Sequence, residues 1–242
     1  MKAIILAAGL GSRLKLHDIP KPMYKVGNKP ILEHNILLLR EHNIKDICVN
    51  VHHMPEVIKN YFGDGSKWGV KIQYPFEKEL QGTSGAVKHI EWFWDKEPFF
   101  VVYGDNYTNV NLHEMLKFHL SCNSVATIAL FDPLKVQNSG IAGGFVTIDK
   151  NNRLLSFTEG TSGTTKGYVN AGIYILEPAV LDAIPSNMPS DFGKDVFPKL
   201  LENKLSLFGY LINGFVMAID TKEALETTNE LLSEKGILND NN

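Results

Sequence analysis

Two cations, Arg13 and Lys21, follow a glycine-bearing stretch near the start of the chain, in "AIILAAGLGSRLKLHDIPKPM" (3–23). An apolar run ending in Leu6 gives way there to Ala7, Ala8, Gly9, Gly11 and Ser12. Small side chains let backbone N–H groups approach an anion closely, and a guanidinium adds planar, two-pronged contacts. The residues fit a loop that grips phosphate beyond the carboxyl end of a strand, where doubly wound sheets hold their ligands. A plain strand-to-helix turn would use the same small residues. The stretch lacks both GxxxxGK[ST] and GxGxxG, the spacings of two common phosphate loops. Pro20 and Pro22 stiffen the segment that presents Lys21.

A carboxylate, Asp105, closes the apolar run "FFVVYGD". Burial penalises a lone carboxylate unless it meets a cation, and Mg²⁺ accepts one or two carboxylates together with substrate phosphates. Capping the segment that follows is the alternative use of Asp105. Other reactive side chains read as structural. His52 and His53 are adjacent and would diverge on a strand, and "WFW" at 92–94 reads as helix core and surface. Cys48 and Cys122 show neither CxxC nor zinc spacing, so free thiols in a reducing cytoplasm are expected.

These residues need a frame, and the hydrophobic pattern supplies one. "KAIILAA", "DICVNVH", "VKIQYPFE" and "PFFVVYGD" read as strands, alternating with the helical "ILEHNILLLREHN", "PEVIKNYFG" and "GTSGAVKHIEWFW". Repeated β-α-β predicts an α/β fold, a Rossmann-like, mostly parallel sheet flanked by helices. After Asp105 the pattern loosens. "SVATIALF", "GGFVTID", "LLSFTE" and "GYVNAGIYIL" read as strands of an antiparallel elaboration. The helical "KDVFPKLLEN" and "KEALETTNELLSEKG" close the chain, with the strand "GFVMAID" between them. One domain over 1–242 is expected, its first half running to 110, its second over 111–235, and a frayed tail at 236–242.

The 242 residues include 44% hydrophobic and 21% charged side chains, which predicts a folded globular chain. A formal net charge of -3 argues against nucleic acid as a partner. The apolar run after Lys2 is short for a signal peptide, and no stretch approaches the roughly 20 apolar residues of a membrane span. A cytoplasmic protein without membrane attachment is expected.

"LAAGLGSRL" followed by "PKPM" resembles the signature of the sugar-1-phosphate nucleotidyltransferases, the pyrophosphorylases that make nucleotide sugars. "KPILEH", "GDGSKWGVKIQY", "LQGTSGA", "VYGDN", "YVNAGIYIL" and "GFVMAIDT" look like that family's later landmarks, in order, over nearly the whole chain. The resemblance implies transfer of a nucleoside monophosphate from a nucleoside triphosphate to a sugar 1-phosphate, with release of pyrophosphate and Mg²⁺ as cofactor. Homo-oligomers are compatible with it. Arg13 would hold the leaving phosphates, Lys21 would bridge the α-phosphate and the incoming sugar phosphate, and Asp105 would bind metal. Leu6, Ala7, Ala8, Gly9, Gly11, Ser12 and Arg13 would meet the nucleotide from one side, and Glu77, Gln81, Gly82 and Thr83 from the other. Gly140, Glu159 and Asn170 would hold the sugar.

The chain departs from the family twice. Members commonly read Gly-Tyr-Trp-x-Asp-Ile-Gly-Thr near the end, and an ungapped overlay puts Ala218 at the aspartate and Asp220 at the glycine. Two residues along a strand keep one face, so Asp220 is the expected second metal ligand, with a helix N-cap as its alternative. Members also often follow the sugar glutamate with Lys-Pro, where this chain reads "TEGTSGTTKG"; Lys166 is the candidate replacement. The likeness of "GDGSKWGVKIQY" and "LQGTSGAV" to guanylyltransferases makes GTP with a mannose- or heptose-like 1-phosphate the first choice. Uridylyl, thymidylyl or cytidylyl transfer, a phosphocholine-type acceptor and a non-catalytic regulator are the alternatives.

Overall fold

Ala3, Ile4 and Ile5 are all fully buried, and they lie in β1 (Lys2–Leu6) within a large sheet. A strand covered on both faces needs apolar residues at successive positions. The computed structural model describes residues 1–11, 18–139, 144–160 and 167–234. After β1 come β2 (Lys25–Val26), β3 (Lys29–Pro30), α1 (Ile31–Glu41), β4 (Asp46–Asn50), α2 (Pro55–Phe62), β5 (Lys71–Gln73), α3 (Gly82–His89) and β6 (Phe99–Tyr103). Next are β7 (Asn106–Thr108), α4 (Leu112–Ser121), β8 (Ala126–Phe131), β9 (Gln137–Asn138), β10 (Phe145–Ile148), β11 (Leu154–Thr158) and β12 (Tyr168–Leu176). A π-helical turn over Phe192–Val196 leads into α5 (Phe197–Glu202), followed by β13 (Leu207–Leu211), β14 (Phe215–Ala218) and α6 (Lys222–Glu234).

β6, β1, β4 and β5 lie side by side and parallel. The chain therefore moves outward from β1 through β4 to β5, then returns to place β6 on the other side of β1. That reversal opens a crevice beyond the carboxyl ends of β1 and β6. β12 runs antiparallel to β6, β8 and β10, while β11 is antiparallel to β10 and β13 is parallel to β8. Only β11 and β12 oppose the common strand direction of this sheet, as expected of a mostly parallel α/β sheet with an antiparallel side.

Side chains alternate across the strands and feed two cores. Ala3, Ile5, Phe100 and Val102 pack with Leu32, Ile36 and Leu39 of α1, Phe62 of α2 and Met115 of α4 on one face. Ile4, Phe99 and Val101 pack with Val87 of α3 and with Phe197 and Leu200 of α5 on the other. Six of these elements were not expected: β2, β3, β7, α4, β9 and β13, the last of which lengthens the sheet beyond β8. A separate small sheet, β7-β14-β9, joins the end of the chain to the residues after Asp105.

Candidate active site

β14 pairs antiparallel with β7, setting Ala218 opposite Asn106, and Ile219 N donates to Asp105 O at 3.0 Å. This pairing brings Asp105 and Asp220 together. Between them lies Lys21, whose Nζ donates to Asp220 Oδ1 at 2.5 Å and to Asp105 Oδ2. Its side chain is only 9% exposed. Burial opposes the ammonium charge, but the charges of Asp105 and Asp220 outweigh it and hold the Lys21 pKa above the ordinary lysine value. Gly11 lies against the Lys21 stem with φ of 64°, and a Cβ there would stand 3.1 Å from Lys21 Cβ. A side chain at this position would meet both backbone strain and crowding. The cap of α6 comes from Thr221, whose Oγ1 accepts from Ala224 N at 3.1 Å. The Asp220 carboxylate instead faces Lys21.

Two cavities meet at this point. One, of about 240 Å³, is lined by Leu6, Ala8, Gly9, Asn50, Glu77 and Gly82 among others. The other, of about 190 Å³, is lined by Glu159, Asn170, Asp191, Lys194 and Asp220 among others. Thr83, Tyr103 and Asp105 line both, so the acid stands on a shared wall. Burial pushes the Tyr103 hydroxyl up to about 12, which keeps it a neutral hydrogen-bonding group on that wall.

The first cavity is braced by a buried chain of polar contacts. Asn50 Oδ1 accepts from Ala7 N at 2.7 Å, and Asn50 Nδ2 donates to Glu77 Oε1 at 2.6 Å. Glu77 Oε2 accepts from Gln81 N at 3.0 Å. The loop after β1 and the loop before α3 are thus tied across the crevice by two side chains. Gln81 itself turns aside, its Nε2 donating to Glu79 O at 2.8 Å, and it does not line this cavity. Gly82 has φ of 72°, and a Cβ there would stand 2.5 Å from Ser190 O. Close approach of the strand-to-helix turn to the 190–191 backbone therefore requires glycine.

In the second cavity, Asn170 Nδ2 donates to Tyr174 Oη at 2.8 Å and Asn170 Oδ1 accepts from Gly172 N at 2.9 Å. These bonds hold an irregular stretch of β12 between its pairings with β10 and β6. Asn106, beside Asp105, donates from Nδ2 to Ala171 O at 2.8 Å and pins the same stretch. Glu159 faces the cavity next to Gly193 and Gly144, where any Cβ would collide with its Oε2. Burial raises the Glu159 carboxyl above its ordinary value, with the Lys194 charge opposing the rise and Asp191 adding to it. Asp191 Oδ1 accepts from both Thr83 N and Thr83 Oγ1 at 3.1 Å.

The fold thus gathers Leu6, Ala8, Gly9, Glu77, Gly82 and Thr83 on one side of Asp105 and Lys21, and Glu159, Asn170 and Asp220 on the other. Ala7 is buried behind the first cavity and fixed by Asn50. Ser12, Arg13, Gly140 and Lys166 lie outside the described residues. Sequence reading passed over Asn50, Tyr103, Asp191 and Lys194. Tyr103 and Asn50, which end β6 and β4, were readable as strand-end residues; Asp191 and Lys194 carry no local signal.

The family model described as Nucleotidyl transferase matches residues 2–224. The chain is 37% identical over 223 residues to the UTP–glucose-1-phosphate uridylyltransferase of Synechocystis sp., covering 86% of this chain and 57% of that protein. It is 34% identical over 228 residues to a probable mannose-1-phosphate guanylyltransferase 1 of Oryza sativa subsp. japonica, covering 90% and 61%. HddC from Yersinia pseudotuberculosis, solved in complex with GMP-PN, shares the fold at a TM-score of 0.79 and 25% identity, over 96% of this chain and 99% of that one. The chain spans about three fifths of the length of the two curated relatives. With the match running through the glycine loop, Lys21 and both strand-end acids, the chain belongs to the nucleotidyl transferase family.

Proposed function

We propose that this chain transfers a nucleoside monophosphate from a nucleoside triphosphate to a sugar 1-phosphate, releasing pyrophosphate. The observation that carries this reading is the Lys21 ammonium set between Asp105 and Asp220 at the wall shared by two cavities. An oxygen of the sugar phosphate must attack the α-phosphorus in line, so two polyanions have to be brought together and their charge spread neutralised. Lys21 is placed to leave its carboxylates for the α-phosphate and the incoming phosphate. Arg13, a little further along the glycine loop, holds the departing phosphates in this reading.

The first cavity takes the nucleoside. Ala8, Gly9 and Gly82 leave room for a ring and offer backbone groups to its edge, while Glu77 and Asn50 fix the distance between the two loops. Every residue lining this cavity precedes Asn106, which supports assigning nucleotide binding to 1–110 and sugar-phosphate binding mainly to the remainder. Glu159 accepts from sugar hydroxyls, and Asn170 shapes the wall beside them. The free Cys48 and Cys122 support a cytoplasmic setting. Among the described residues no helix is long and apolar enough to cross a membrane.

Asp105 and Asp220 already share a cation in the Lys21 ammonium, and their hard oxygens suit Mg²⁺. No cluster of three or more metal-ligating side chains occurs among the described residues, which fits an ion that takes its remaining ligands from phosphate and water. Bound there, Mg²⁺ would neutralise phosphate charge.

Guanine is the first choice of base, supported by the rice relative's name and by the GMP-PN complex of HddC. Uracil is the second reading, favoured by the name of the Synechocystis relative. The test is to mix the purified protein and Mg²⁺ with each of the four common nucleoside triphosphates and with mannose, glucose or heptose 1-phosphate. Pyrophosphate should appear only when both substrates are present, fastest with GTP. A faster reaction with UTP would move the base assignment, and no release from any pair would overturn the reading.

A further inference from the structure

The second cavity is lined by four carboxylates, those of Asp105, Glu159, Asp191 and Asp220, and by one cationic side chain among the described residues, Lys194. A sugar 1-phosphate carries a dianionic group, which such a lining repels unless a cation meets it. Lys21 is held by two of the four acids. Lys194 stands beside the other two and is much less engaged. Its Nζ is 3.9 Å from Asp191 Oδ2 and its side chain is 64% exposed, a separation beyond hydrogen-bond range. Its charge also reaches Glu159, where it opposes the effect of burial.

The backbone under Lys194 is rigid where the side chain is not. Phe192, Val196 and Phe197 on either side of it are fully buried, Phe192 N donates to Thr83 Oγ1 at 2.9 Å, and Asp191 N donates to Asp195 Oδ2 at 2.7 Å. The turn is thereby bound to Thr83, a residue of the wall between the cavities. Gly193, next to Lys194, makes room for the Glu159 carboxylate. A cationic stem thus rises from a fixed point on the cavity wall, beside Asp191 and Glu159. We infer that Lys194 joins Lys21 in receiving the phosphate of the sugar 1-phosphate, so that part of the acceptor's charge is met from the turn before α5. This rests on the proposed function.

The test compares wild type, Lys194→Met, Lys194→Arg and Lys166→Met. Isothermal titration without nucleotide uses mannose 1-phosphate, glucose 1-phosphate and the corresponding free sugars. Wild type should bind one of the sugar phosphates more tightly than its free sugar. Lys194→Met should weaken the phosphorylated form roughly ten- to a hundredfold, the range for losing a charge-assisted hydrogen bond, and leave the free sugar unchanged. Lys194→Arg should recover most of the loss. In steady state with GTP, Lys194→Met should raise KM for the sugar phosphate by a similar factor and move KM for GTP by no more than about twofold, with an unchanged melting temperature. An unchanged sugar-phosphate affinity, an equal rise in both KM values, the whole effect appearing in Lys166→Met, or no binding of either sugar phosphate by wild type would each overturn the inference. A protein that binds sugar phosphate through Lys194 yet transfers nothing would refute the proposed function alone. A protein that transfers normally as Lys194→Met would refute the inference alone.

Discussion

Lys21 combines charge, size and position, and substitution can separate them. Lys21→Ala should lower turnover roughly 10²–10³-fold, the scale for removing one charge-stabilising donor, while Lys21→Arg should recover only part. A planar guanidinium does not replace a compact ammonium between two carboxylates, so full recovery by arginine would point to bulk charge alone. The two roles open to residue 220 can also be separated, because α6 draws its cap from Thr221. Thr221→Ala should cost about 1 kcal/mol of stability, read as a lower melting temperature, with turnover largely kept. Asp220→Asn should do the reverse, losing most turnover with little change in melting. If it also resembles Asp105→Asn and the double variant is no worse, the two acids act as one unit. Near-normal turnover in Asp220→Asn would remove the second acid from the mechanism.

At the level of elements, α4 is fastened to the sheet by a buried histidine. His119 is 1% exposed on its side chain, with Nδ1 2.8 Å from Thr127 Oγ1 of β8 and Nε2 3.2 Å from Glu177 Oε1 just after β12. Burial lowers its pKa below the ordinary 6.5, outweighing the attraction of Glu177. The folded state therefore binds fewer protons here than the unfolded chain as pH falls below about 6.5. Stability should be complete above that value and fall as acid is added, and the melting temperature of His119→Asn should fall less steeply between about pH 6.5 and 5. Equal slopes would show that the histidine does not titrate on unfolding. The same residue explains why α4 was hard to read. Leu112, Met115 and His119 form its buried stripe, and a histidine in the third position breaks the apolar pattern a sequence shows. β13 was missed although "LFGYL" is an apolar and aromatic run broken only by Gly209, so its signal was present in the sequence. β1 and β6 were legible because both of their faces are covered.

Across the whole molecule, transfer should need both substrates at once. The two cavities share Thr83, Tyr103 and Asp105, and in the proposed reaction the sugar phosphate attacks directly, with no enzyme-bound nucleotide in between. Initial-rate plots against both substrates should give intersecting lines, and parallel lines would indicate a covalent relay instead. Asp105 was readable because it closes an apolar run, and a strand's end is a local property, whereas the roles expected of Lys21 and Asp220 came from the family resemblance. Asp191 and Lys194 were not readable, since only tertiary folding carries the turn before α5 to Thr83. The β7–β14 pairing has a further consequence for the timing of synthesis. A chain grows from its N-terminus and begins to fold as it emerges. Every residue lining the first cavity precedes Asn106, yet Phe197 and Leu200 of α5 cover one face of β1 and β6 and Gly82 rests on Ser190, so the cavity too is completed by later residues. Asp105 gains its partner acid only when 215–220 leave the ribosome and pair across a long span of sequence, the slow kind of contact. A chain terminated before 215 therefore lacks the acid pair, and in the proposed reaction transfer begins only once this late strand is in place.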